Sequence, residues 1–138
     1  MANIESLTIK CPVTIKAKVT EDLKTQLAAE ISENIKRADM ELQQIEFQAK
    51  RMLTEQAKTD AQGLPGLRQQ IELEKQKRNE FKSLMVEKLK ETANLEIGSE
   101  IVQGTIEQLV NVTVGTDIHK IMATEVLLED GKIIAFRS

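Results

Sequence analysis

The sequence predicts an α+β protein in which a long antiparallel helical hairpin, of coiled-coil type, is inserted in a small antiparallel β-sheet or partly closed barrel formed by both chain ends. Three observations predict it. Apolar side chains recur at every second position near both ends of the 138 residues. Between the ends they recur every three to four. All six glycines stand at or beyond residue 63, and neither 20–62 nor 67–97 contains glycine or proline, the residues that most weaken helices.

The opening strand is the plainest element. Leu7, Ile9, Cys11, Val13, Ile15, Ala17 and Val19 alternate with Thr8, Lys10, Pro12, Thr14, Lys16 and Lys18, so one face is destined for a core and the other for water. Pro12 has no N–H for a ladder, which predicts a sheet edge or a bend at that point.

Thr20 is a good N-cap, and Glu21 and Asp22 follow where the helix dipole favours negative charge. The period then changes. Ile31, Ala38, Ile45 and Met52 form one set and Ala28, Ile35, Leu42 and Ala49 the other, spaced alternately by four and three as in a heptad seam. The alanines allow close approach of a partner helix. The stretch from Thr59 to Gly66, with Gly63-Leu64-Pro65-Gly66 at its end, predicts a reversal. A second helix over about 67–94 follows, with Leu67, Ile71, Phe81, Leu84, Met85 and Leu89 as apolar members and only Leu73 within the polar run from Glu72 to Glu80. A short connector makes the two helices antiparallel neighbours. The second is about ten residues shorter than the first, which predicts an irregularity somewhere in the pair.

Period two returns after Gly98. Val110, Val112 and Val114 alternate with Asn111 and Thr113, Val102 and Ile106 extend the face backward, and Gly104 between them suggests a bulge. Gly115-Thr116-Asp117 reads as a turn into a strand near 118–129, and Asp130-Gly131 as a hairpin turn into 132–137. The strand at 7–19 is too short to fold alone and must pair with strands more than 80 residues downstream. The expected organisation is a β head of 1–20 plus 95–138 and a helical arm of 21–94 with its turn near 59–66.

Composition narrows the partners. Charged residues make up 30% and aromatics 2%, with no Trp or Tyr and three Phe, which suits long solvated helices. The net charge is −3, distributed as +2 over 1–19, −1 over 20–94 and −4 over 95–138. No region is basic enough to attract a phosphate backbone strongly, and stacking aromatics are scarce, so nucleic acid is disfavoured without being excluded. The one basic cluster, Lys75, Lys77 and Arg78, is flanked by Glu72, Glu74 and Glu80 and reads as paired charges on a solvated helix. No apolar run is long enough for a membrane span and no secretory signal is visible at the N-terminus, so the expectation is a cytoplasmic protein.

Three stretches carry a family likeness: Leu7-Thr8-Ile9-Lys10-Cys11-Pro12-Val13-Thr14-Ile15-Lys16-Ala17-Lys18-Val19-Thr20, Glu100-Ile101-Val102-Gln103-Gly104-Thr105-Ile106-Glu107, and Thr124-Glu125-Val126-Leu127-Leu128-Glu129-Asp130-Gly131-Lys132-Ile133. In these the chain resembles the YlqD family of uncharacterised bacterial proteins, most of all its photosynthetic-bacterial branch. The likeness covers nearly the whole chain, although the helical part is too generic in composition to add to it. The resemblance implies no established activity, substrate or catalytic residue. Through the gene neighbourhood of some members it implies an association with ribosome and transfer-RNA maturation.

Candidate chemistry is thin. Cys11 is the sole cysteine, which rules out an internal disulfide and a thiolate zinc site, and its place on the apolar face marks a buried thiol rather than a nucleophile. His119 is the sole histidine; Asp117, Lys120 and Glu125 nearby form no metal-ligand spacing or base–nucleophile signature. Gly63-Leu64-Pro65-Gly66 lacks the Lys and Ser/Thr of a phosphate loop. No catalytic residue, cofactor or metal is therefore expected, and an enzyme with a site shared between subunits has nothing to recommend it. The features left over are a hairpin seam of Ala28, Ile31, Ile35, Ala38, Leu42, Ile45, Ala49, Met52, Ile71, Phe81 and Met85, and a candidate partner surface of Phe47, Leu53 and Leu73, which lie off the seam or at its edge. The leading expectation is a non-enzymatic protein–protein interaction or oligomerisation module that projects its arm from the head, with an unknown protein partner and self-association. The alternative is a ribosome- or RNA-associated factor that binds through the β head.

Overall fold

The computed structural model describes residues 3–138. Its elements are β1 (Ser6–Lys18), α1 (Glu21–Thr59), a 3-10 turn (Ala61–Gly63), α2 (Leu64–Ala93), β2 (Glu100–Thr113), α3 (Ile118–Met122), β3 (Glu125–Glu129) and β4 (Lys132–Arg137). The fold is α+β, with a four-stranded sheet built from both chain ends and two long helices between them. Two compact units result: residues up to Lys24 together with Leu95–Ser138, and Thr25–Asn94.

In the sheet unit the strand order is β2-β1-β3-β4. β1 and β2 pair antiparallel over their whole length, from Ser6 opposite Thr113 to Lys18 opposite Glu100. Gly104 lies opposite Ile15 and Val102 opposite Lys16, so Gln103 is the extra residue of a bulge beside the glycine. The bulge sets Val102 on the face of Lys16 and not, as the alternation suggested, on that of Ile106, and Val114 stands fully in water. β3 lies along the other edge of β1 but covers only Thr14–Ala17. The apolar alternation of β1 is realised as core from Cys11 onward: Cys11, Val13, Ala17 and Val19 are buried, together with Val126 and Leu127 of β3. Ile9 and Ile15 are half-buried, whereas Leu7 at the strand's start, expected in the core, is 55% exposed.

Two details of the sheet differ from expectation. β1 and β3 are parallel, which makes the sheet mixed rather than antiparallel. The connection from β2 to β3 is long enough to carry the chain past β1 to its far side, where a tight hairpin would have kept β3 next to β2. The sheet is also open, for β4 and β2 are not neighbours. A second difference lies within that connection, since 118–122 is helical and the strand starts only at Glu125. Asp117 Oδ1 accepts hydrogen bonds from the N–H groups of His119 (3.0 Å) and Lys120 (3.4 Å), an N-cap that turns the next residues into one helical turn. The Asp130-Gly131 turn forms as expected, with both residues at positive φ (48° and 82°), the conformation a two-residue hairpin of this hand requires.

α1 starts at the residue after Thr20, whose Oγ1 accepts the Leu23 N–H at 3.1 Å. At its far end Asp60 accepts from the Gln62 N–H and caps the 3-10 turn. α2 begins at Leu64, three residues before the expected start, because Pro65 occupies the first turn, where a missing N–H costs nothing. The helices run antiparallel, with Asn34 beside Met85, Asp39 beside Lys82 and Glu46 beside Lys75. In that register most of the surplus length of α1 falls at its N-terminal end, where Lys24 Nζ donates to Leu95 O at 2.9 Å.

Candidate interaction surface

The seam between α1 and α2 is apolar only in part. Ala38, Ala49 and Met85 are buried, and Ala28, Ile31, Ile35, Leu42, Ile45 and Ile71 are half-buried along the same line. Met52 and Phe81 stand at the rim, 48% and 43% exposed. Opposite the middle of α1 the inward positions of α2 are Glu74, Lys75, Arg78 and Lys82, all half-buried. Their long side chains cover the apolar line with their stems while keeping their charged ends in water.

Those charged ends find partners on α1. Lys82 Nζ lies 2.7 Å from Asp39 Oδ1, Arg78 Nε lies 3.4 Å from Glu41 Oε2, and Lys75 Nζ lies 3.9 Å from Glu46 Oε1. In each pair α2 supplies the cation and α1 the anion, so the charges favour this register over a slipped one. Arg78 also binds Glu74 through its guanidinium, which holds the Glu74 carboxyl below the ordinary value of 4.5, with Lys77 adding to the effect. The basic cluster at 75–78 is thus taken up by glutamates of its own helix and of α1. Sequence reading missed the bonds across the helices; their signal was the placing of Asp39, Glu41 and Glu46 at positions flanking the heptad seam.

Small residues in the seam leave hollows. A groove of about 350 Å³ lies beside Ala38, lined also by Arg37, Glu41, Lys77, Arg78 and Phe81. Another of about 490 Å³ lies beside Ala49, lined also by Leu53, Arg68, Ile71 and Lys75. Leu53, assigned from sequence to the partner surface, is half-buried in this second groove. Phe47 (66% exposed) and Leu73 (51%) face water on different helices. Each has company there: Met40 is exposed one heptad before Phe47, and Leu84 is exposed three turns beyond Leu73. Sequence reading singled out neither Met40 nor Leu84 as exposed.

In the sheet unit, Lys16 Nζ lies 2.9 Å from Glu125 Oε1, so this cation of the basic opening strand is engaged within the sheet. Cys11 is fully buried. His119 is exposed on α3. Among the described residues no three of His, Cys, Asp and Glu gather closely enough to hold a metal ion, and no buried side-chain nitrogen or oxygen lacks a hydrogen-bond partner.

A family model described as YlqD protein matches residues 7–137. The chain belongs to the YlqD family. It is 25% identical over 126 residues to "Uncharacterized protein YlqD" of Bacillus subtilis (strain 168), an alignment that covers 91% of this chain and 94% of that one. A crystal structure of a protein of unknown function from Synechococcus sp. WH 8102 has the same fold, with a TM-score of 0.82 at 25% identity, covering 96% of this chain and 95% of the other. The match to the YlqD family spans sheet and helices alike. No helix among the described residues of this family member is long and apolar enough to cross a membrane.

Proposed function

We propose that this YlqD-family chain is a non-enzymatic protein–protein interaction module whose coiled-coil hairpin takes hold of a protein partner. The observation that carries the reading is the pair of exposed apolar stripes, Met40 and Phe47 on α1 and Leu73 and Leu84 on α2. Leaving a large apolar side chain in water forgoes roughly 1.5–3 kcal/mol of burial. Four such side chains on two otherwise polar helices, outside a seam that already has its own residues, suit a surface that is covered in a complex. A cytoplasmic setting belongs to the same reading and is supported by a free thiol, Cys11, kept in the core.

The test is an affinity capture from the native host with the intact protein and with a Phe47→Glu, Leu73→Glu variant. Both changes are at exposed sites, so helicity and thermal midpoint should stay within a degree or two of the parent. A protein retained by the parent and lost from the variant supports the reading. An identical set retained by both would sink it.

A further inference from the structure

We infer that the outer edge of β2 pairs with β2 of a second copy of this chain, antiparallel, about a two-fold axis at Leu109. The inference rests on the reading of the chain as an interaction module, but uses a different surface from the hairpin.

Backbone direction shows which groups are open. Thr14 N–H donates to Thr124 O beside β3 (3.1 Å), whereas Val19 N–H donates to Ser99 O beside β2 (2.7 Å). Alternation along β1 therefore turns its odd residues toward β2 and its even residues away from it. In the observed register Ile106, Gln108 and Val110 of β2 face β1, and the backbone groups of Glu107, Leu109 and Asn111 point outward, where no strand of the sheet lies.

Two sheet edges can be compared. β1 extends beyond β3 from Ser6 to Val13, and on that uncovered side the even residue Pro12 offers no N–H. That edge is blunted. The β2 edge between Ile101 and Thr113 carries no proline and no lysine, and Glu107 is its one charged residue. It has defined ends, the bulge at Gln103 and the turn at Thr113, whose N–H donates to Thr116 Oγ1 (3.0 Å) and whose carbonyl accepts the Thr116 N–H (3.1 Å). Between those ends the edge is a template for another strand.

The side chains select a second copy as that strand. With the axis at Leu109, Glu107 lies opposite Asn111 of the other copy, an amide donor facing a carboxylate. Leu109 meets its own equivalent, and Ile106 meets Val112. Leu109 is 71% exposed, flanked on its own face by Thr105, Glu107, Asn111 and Thr113, and self-pairing covers it with a like apolar side chain. An axis at Glu107 would instead set two carboxylates against each other.

The experiment is light scattering on the full-length protein from about 1 to 100 μM, with two variants. The parent should move from 15.5 kDa toward twice that mass. Leu109→Lys sets two cations at the axis, and Asn111→Asp sets a carboxylate against Glu107; each should weaken self-association at least tenfold. Combining Glu107→Lys with Asn111→Asp should restore it. A parent that stays at monomer mass, or a dimer indifferent to either single change, overturns the inference. The Phe47→Glu, Leu73→Glu variant should dimerise like the parent, so loss of the hairpin's partner and loss of the dimer are separate results.

Discussion

Arg137 on β4 and Glu100 on β2 are joined side by side, Nη1 to Oε1 at 2.6 Å and Nη2 to Oε2 at 2.7 Å. These strands are the two outer members of the sheet and share no ladder. A two-pronged ion pair therefore joins two strands that have no backbone hydrogen bonds to each other. The same guanidinium lies 3.9 Å from Glu125 Oε2, and Lys16 reaches Glu125 from the neighbouring strand.

This pair makes stability depend on acid pH. The hydrogen bonds from Arg137 hold the Glu100 carboxyl below its ordinary value of 4.5, with burial working the other way and the charge of Arg137 adding to the lowering. A carboxyl depressed in the folded state contributes stability that is present above its unfolded value and lost as pH falls through the folded one. The thermal midpoint should fall as pH is lowered below about 4.5, and Glu100→Gln should flatten that part of the curve. Equal slopes for the two proteins between pH 5 and 3 would remove the pair from the account.

Thr20 should be worth more than an ordinary cap. Its Oγ1 accepts the Leu23 N–H and donates to Asp130 Oδ1 at 2.6 Å, so one hydroxyl starts α1 and holds the β3–β4 turn. Thr20→Ala should cost about 1–2 kcal/mol in denaturant unfolding, the range for a lost N-cap. Asp130→Ala, which leaves the cap intact, should cost less.

The Cys11 thiol should be inert in the native protein. It is fully buried in the centre of β1, so a thiol reagent should label it only as fast as the sheet opens. Labelling should become immediate in denaturant. Cys11→Ser places a hydroxyl in that core and should destabilise by about 1–3 kcal/mol.

Across the helices, reversing one charge should hurt and reversing both should repair. Lys82→Asp sets two carboxylates together at the position of the 2.7 Å bond, and adding Asp39→Lys restores the attraction. Both side chains keep about 40% of their surface in water, so a double-mutant cycle should give a coupling below about 1 kcal/mol, smaller still in 1 M salt. A coupling of zero at low salt would mean that Lys82 acts only through its stem.

The two long helices, the reversal and the apolar face of β1 were legible because each is a local pattern, whereas the bulge at Gln103 put Val102 and Ile106 on opposite faces of β2. The alternation of β1, the capping signal at Thr20, and the Asp130-Gly131 turn act within a few residues of chain. Asp117 was legible in principle as an N-cap, but Ile118, Ile121 and Met122 after it also suit a strand, and the short-range hydrogen bonds prevailed. The seam was half legible. Apolar spacing located its α1 side, while on α2 the inward places went to Lys75, Arg78 and Lys82, whose charges can stay in water as their stems are covered.

What the sequence determined by itself, then, is the two long helices, the reversal between them and the faces that β1 and α1 bury, since a two-residue or seven-residue rhythm is written in consecutive side chains. The tertiary structure alone decided which strands became neighbours, that β3 runs parallel to β1, that the sheet stays open, and that Arg137 meets Glu100 across 37 residues of chain. Alternation says which way a side chain points but not which edge a distant strand will reach. That choice follows from how a connection passes over the sheet, and no local pattern records it.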